Sequence, residues 1–189
     1  MINFLDNINE ICALLKEGKI ILCPTDTIWG ISCDIFHEQS VNRIYQIKKR
    51  DRNKPFIILV NNIEMLKKYI KDLHPRVETL LLHHKKPLTI IHQAGDLIPE
   101  YLLCGNKTIA IRITSFPLLN KLITHLDHPI VSTSANIQNE ESPTCFNNID
   151  PKVIESVDYT CLSCRDSKED KSSSTLISYS GEGELFFLR

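Results

Sequence analysis

The run Phe56-Ile57-Ile58-Leu59-Val60 constrains this chain more than any other stretch, because five apolar residues in succession, without alternation, describe a strand that has no solvent face. Such a strand belongs inside a sheet covered on both sides, and the surrounding sequence supplies the covering elements. Asn7 with Glu10 resembles a capping box, opening a helix whose apolar face is Ile8, Ile11, Cys12 and Leu15 and which closes at Gly18. Helical periodicity returns over 38–49, with Val41, Ile44, Tyr45 and Lys48 on one face, and again over 62–70, 75–83 and 116–126. Strands are expected over 20–23, 88–92, 108–114, 130–132, 175–179 and 184–188. Strands interleaved with helices predict an α/β fold, an open twisted sheet flanked by helices.

No internal repeat breaks the 189 residues, so a single domain spanning 1–189 is expected. The polar stretch 165–174 reads as a flexible loop rather than a linker, since only one or two strands follow it. Lys and Arg total 22 against 23 Asp and Glu, a formal net charge of -1, which argues against a protein whose main business is coating nucleic acid. No stretch approaches the ~20 apolar residues of a membrane span, and the N-terminus lacks the pattern of a signal peptide. A soluble cytoplasmic protein is the expectation. The seven cysteines then read as reduced thiols. Cys161 and Cys164 have CxxC spacing, but no second pair accompanies them, and no metal site is expected.

Four stretches carry chemistry. Pro24-Thr25-Asp26-Thr27, followed by Trp29 and Gly30, puts small oxygen-bearing side chains just past a strand. Residues 48–54 hold five basic side chains, including Lys48, Arg50 and Lys54. That run reads either as solvated charge at a helix end or as a seat for an anion of high charge. Ser132, Ser134 and Asn136 follow the strand at 130–132, and Ser174 and Thr175 enter a late strand from a polar loop. Singly, each of the last two reads better as an ordinary turn or a solvent loop than as a site. Together they predict a polyanion and a small polar substrate in an α/β cleft, at the carboxyl ends or edges of strands. Neither a GxGxxG nor a P-loop motif accompanies them.

The succession LCPTDTIWGISCD, KKRDRNKPFIILV, KPLTIIH, TIAIRIT, VSTSAN and SSTLI resembles the YrdC-type threonylcarbamoyl-AMP synthase family over nearly the whole chain. The resemblance implies a mostly mixed, YrdC-like sheet. It implies condensation of L-threonine, bicarbonate or CO2, and ATP into threonylcarbamoyl-adenylate and pyrophosphate, for the threonylcarbamoyl modification of tRNA. By the same resemblance Lys48, Arg50 and Lys54 are the catalytic cations, with Arg50 on the amino-acid carboxylate. Thr25, Thr27 and Ser132 face threonine, and Ser134, Asn136, Ser174 and Thr175 join Lys48 and Lys54 around the nucleotide. Arg112, in AIRIT, is either a site arginine or a buried ion-pair partner. Mg2+ is expected on the ATP phosphates, and downstream threonylcarbamoyl-transfer proteins as partners.

The sequence departs from the family pattern in three places: Asp51 stands where relatives usually carry proline, Trp29 where tyrosine is commoner, and Gln138-Asn139 where Ser-Gly often follows SAN. Two other readings compete. A hydrogenase-maturation carbamoyltransferase contains a related domain but needs further modules. A non-catalytic RNA-binding module lacks support from the near-neutral composition, although a basic groove would permit weak RNA binding.

Overall fold

The computed structural model describes residues 5–103, 105–167, 172–179 and 184–188. Cys104 and the central residues of the polar loop, 168–171, lie outside that set. The chain runs α1 (Ile8–Lys16), β1 (Ile21–Cys23), β2 (Gly30–Asp34), α2 (Glu38–Ile47), β3 (Ile57–Val60), α3 (Ile63–Tyr69), α4 (Pro75–His83) and β4 (Leu88–Gln93). It continues through β5 (Thr108–Ile113), α5 (Pro117–Leu126), β6 (Ile130–Ser134), α6 (Pro151–Ser156), β7 (Tyr159–Thr160), β8 (Thr175–Tyr179) and β9 (Leu185–Phe187). The strands form one sheet in the order β7-β1-β2-β6-β3-β5-β4-β8-β9. It is mixed: β1–β7, β3–β5 and β4–β8 pair in parallel and the remaining neighbours antiparallel. The α/β expectation therefore holds.

Register explains how this sheet makes both a core and a site. One row of cross-strand partners runs Ile177, Ile90, Ile111, Ile58, Val131, Cys33 across β8, β4, β5, β3, β6 and β2. Every member is at most 1% exposed, and burying each large aliphatic side chain stabilises the fold by about 2 kcal/mol. The adjacent row points to the opposite face, because side chains alternate along a strand. It runs Ile91, Ala110, Ile57, Ser132, and its two isoleucines are only partly buried. The reading of Phe56–Val60 as a strand covered on both faces is thus corrected at Ile57, where one face stays open. The apolar run cannot reveal this, since the floor of a ligand cleft and a buried strand both favour isoleucine.

The capping signals were read correctly for α1. Asn7 Oδ1 accepts from the Asn9 and Glu10 amides, and Gly18 (φ 76°) ends the helix, its amide bonding Leu15 O while the Lys19 amide bonds Leu14 O. β2, α6 and β7 were missed. β2 has only one large aliphatic residue in Gly-Ile-Ser-Cys-Asp, and its place between β1 and β6 decides its fate. α6 carried a legible signal, the N-cap Asp150 followed by Pro151.

α2 ends at Ile47 rather than at 49, through the same motif that closes α1. The Arg50 amide bonds Tyr45 O and the Lys49 amide bonds Gln46 O, with Lys49 in the left-handed region at φ 49°. Here a lysine occupies the position that favours glycine, and its side chain is exposed. Lys49→Gly should therefore raise stability by about 1 kcal/mol, through relief of the left-handed strain. The check is the urea midpoint, which should move upward; an unchanged or lower midpoint contradicts this account of the helix end.

Candidate functional site

A cavity of about 370 Å³ opens over the row that carries Ile91, Ala110, Ile57 and Ser132. It spreads over a face of the sheet, across Ile91 of β4, Ala110 and Arg112 of β5 and Ser132 of β6, while Thr25 and Thr27, just past the carboxyl end of β1, and Ser134, at that of β6, join its lining. Leu176 extends the floor, and Trp29 and Phe56 close it laterally. Among the described residues, no Asp, Glu, His or Cys side chain lines it; its polar groups are hydroxyls, an amide and the cations Arg50, Lys54 and Arg112.

The β1–β2 connection folds over this face. Asp26 reaches down to Arg112, Oδ1 lying 3.2 Å from Arg112 Nη2 with both side chains 5% exposed, and Thr114 Oγ1 donates to the same oxygen. The two alternatives for Arg112 are therefore both present: it is a buried ion-pair partner, and it lines the cavity. Among the described residues Asp26 Oδ2, also buried, has no hydrogen-bond partner. Thr25 Oγ1 donates to Ile28 O at 2.7 Å, so its 2.9 Å contact with Thr27 Oγ1 requires Thr27 to donate. Thr27 is left with lone pairs alone to offer, and it suits a ligand N–H or O–H rather than an oxyanion. Gly30 is required by close approach, because a Cβ there would sit 2.9 Å from Ser132 Oγ and 3.2 Å from Thr133 O.

The basic stretch divides by function once folded. Arg50 donates from Nε to Lys54 O at 2.9 Å and from Nη2 to Pro55 O at 3.0 Å, with its guanidinium over Phe56. That grip closes the 50–55 loop and leaves the guanidinium on the cavity wall beside Lys54. Lys48 faces elsewhere. Only 1% exposed, its Nζ donates to Ser134 O and Asn136 O at 2.5 Å each and to Asn136 Oδ1 at 3.3 Å. Burial draws its pKa down to about 7, the Arg50 charge adding to the effect and Glu140 opposing it. Lys48 is thus a strut that binds the end of α2 to the loop after β6. Asn136 belongs to the same strut, its Nδ2 donating to Glu140 O at 2.7 Å. Neither is among the residues lining the cavity.

The fold and the ordered motifs have counterparts in known proteins. The Sua5/YciO/YrdC family model, described as "Telomere recombination", matches residues 13–189. This chain belongs to that family. A Methanocaldococcus jannaschii protein named for threonylcarbamoyl-AMP synthesis is 38% identical over 147 residues, which are 77% of this chain and 68% of that protein. The threonylcarbamoyl-AMP synthase of Hydrogenovibrio crunogenus is 31% identical over 136 residues, covering 69% and 73% respectively. Among solved structures, Pyrococcus abyssi Sua5 complexed with L-threonine superposes with a TM-score of 0.83 at 26% identity, over 96% of this chain and 53% of that one. This chain therefore spans about half the length of that relative. Escherichia coli YciO superposes with a TM-score of 0.81 at 22% identity over 96% of this chain and 87% of its own, a likeness of fold.

The hydroxyl residues of this Sua5/YciO/YrdC chain divide as the cations do. Ser132, Ser134 and Ser174 line the cavity. Ser174 is anchored by a 2.8 Å contact with Thr89 Oγ1. Thr175 lies one residue further into β8 and is not among the lining residues, whereas Ser173 is. Ser142 lies outside every stretch that carried chemistry in the sequence, and Asn53 and Ser173 lie inside two of them without an assigned contact, because in a polar loop nothing distinguishes a ligand contact from a solvated side chain. The CxxC segment proves to be an anchor. Its Leu162 and Ser163 amides donate to the Asp6 carboxylate at 2.7 and 2.9 Å, and Tyr159 joins them at 2.9 Å. Cys161 is fully buried and its thiol pKa is pushed far up by desolvation.

Replacing both Cys161 and Cys164 with serine should accordingly leave the near-ultraviolet spectrum and ligand binding in reducing buffer close to wild type. Stoichiometric zinc that disappears from the double variant together with binding contradicts the anchoring role. Lys48→Met should behave oppositely to a wall residue, destabilising the chain by about 2 kcal/mol because it strands two part-buried carbonyls. Denaturant melts measure this, and an unchanged midpoint refutes the strut.

Proposed function

We propose that the cavity converts L-threonine, bicarbonate or CO2, and ATP into threonylcarbamoyl-AMP and pyrophosphate, supplying the threonylcarbamoyl group for tRNA modification through downstream transfer proteins. The observation that carries the reading is the asymmetry of charge: Arg50 and Lys54 stand on the wall, and among the described residues no carboxylate lines the cavity. In this reaction a carbamate oxygen bonds to the α-phosphorus as the α–β phosphoanhydride breaks, and pyrophosphate leaves with the bonding pair. Two anions must meet, so the useful contributions are neutralisation and alignment rather than a nucleophile or a general base.

Arg50 and Lys54 oppose the charge of carboxylate and phosphates, while Arg112, balanced by Asp26 at 3.2 Å, adds direction with less net charge. Thr27, which offers lone pairs alone, accepts from the nitrogen or hydroxyl of the amino acid. Ser132, Ser134 and Ser174 provide donors around the remaining oxygens. Mg2+ enters this reading on the ATP phosphates, where it supplies further charge neutralisation; a lining without carboxylates suits a metal carried by its nucleotide better than a protein cage.

Pyrophosphate release should need threonine and bicarbonate together, and serine should be used on the order of 10- to 100-fold less well, the worth of one methyl group. Turnover with either substrate omitted refutes the reading. Arg50→Ala should lower the rate by at least ~100-fold with the fold intact by circular dichroism, and Arg50→Lys should also be impaired because an ammonium lacks the guanidinium fork. Full activity in Arg50→Lys shows a diffuse field instead.

A further inference from the structure

The basic loop after α2 and the loop after β6 meet in space. The Asp51 amide donates to Gln138 Oε1 at 2.9 Å, and the Gln138 amide donates to Lys48 O at 2.8 Å. We infer that Gln138 is a positioning residue, which fixes the basic loop so that the Arg50 guanidinium faces the cavity. The inference rests on the proposed role of Arg50.

The path from Gln138 to Arg50 consists of short hydrogen bonds. Anchored at its amide, Asp51 organises the turn that follows: its Oδ1 accepts from the Asn53 amide at 2.9 Å and its carbonyl from the Lys54 amide at 3.0 Å. That turn presents the Lys54 and Pro55 carbonyls, which hold Arg50 Nε and Nη2. Gln138 itself is set by a turn in which the Glu140 amide bonds Ile137 O, with Asn139 in the left-handed conformation (φ 71°) that asparagine tolerates. The Lys48 strut joins the same two loops from the other side of Arg50, through Ser134 O and Asn136 O. Arg50 therefore lies between two stitches, one made by a lysine head and one by a glutamine.

The Asp51 amide needs an acceptor, and the Gln138 side chain supplies one from the neighbouring loop.

The test uses the full chain and the fluorescence of Trp29, the sole tryptophan and a cavity-lining residue. L-Threonine and ATP are titrated separately into wild type, Gln138→Ala, Gln138→Glu, Arg50→Lys and the double variant Arg50→Lys with Gln138→Ala. The ligand whose affinity Arg50→Lys weakens should be weakened about 5- to 10-fold by Gln138→Ala, through misplacement of the guanidinium. Gln138→Glu, which keeps an acceptor oxygen, should stay within about 2-fold of wild type. In the Arg50→Lys background Gln138→Ala should add less than about 2-fold, because the group it positions has already gone. Additive losses in the two backgrounds, or a Gln138→Ala variant that binds as wild type does, overturn the inference while the pocket assignment survives. A wild-type chain that binds neither ligand overturns the pocket assignment and this inference with it.

Discussion

Successive side chains on a strand point to opposite faces, and this period of two is the constraint on which both the core and the site depend. The row Ile177, Ile90, Ile111, Ile58, Val131 and Cys33 lies wholly inside. One residue along, Ile91, Ala110, Ile57 and Ser132 form the cavity floor. A slip of one residue in β6 would turn Ser132 into the core and bring Val131 or Thr133 to the cavity in its place. The floor of the site is therefore held in register by the same hydrophobic burial that stabilises the domain.

Above that floor, three polar arrangements convert flexible segments into fixed walls. Asp26 with Arg112 ties the β1–β2 connection to β5, and Lys48 with Asn136 ties α2 to the loop after β6. Thr25 with Thr27 shapes the connection from within. Each removes polar groups from water and offsets part of that cost with hydrogen bonds, which is tolerable only when geometry is maintained. The result is a cavity whose cations are already aimed before any anion arrives, as electrostatic catalysis requires. The division within the basic stretch follows from the same logic. A helix end turns each successive side chain by about 100°. Lys48 is thereby directed inward and Lys49 outward, and Arg50, after the chain reverses through Lys49, meets the cavity.

Legibility in the sequence varied with the range of the interaction involved. Asn7 and Gly18 announced α1 because caps are made by residues a few positions apart. Asp150-Pro151 announced α6 just as locally, and that signal went unread. β2 had no such marker, since Gly-Ile-Ser-Cys-Asp becomes a strand through its neighbours β1 and β6. Lys48, Asn136 and Thr175 could be assigned to the site by chemistry and order along the chain, but the direction of each side chain depended on partners elsewhere. The oxygens that hold Lys48 lie 86 and 88 residues away. Ser142 and Ser173 show the converse: ordinary loop serines that folding brings to the wall.

The sequence by itself determined the α/β class, the helices with strong caps, the membership in a family of ordered motifs, and the gathering of positive charge with hydroxyls. These properties reside in local periodicity and in residue chemistry, which survive when the chain is written as a line. Tertiary structure alone decided which face of the sheet would stay open, and which cation would be a strut rather than a wall. It also decided that the Thr27 hydroxyl would offer only lone pairs and that Asp51 would find its acceptor in Gln138. Each of those outcomes is a matter of direction, and direction is set by contacts between residues far apart in the chain.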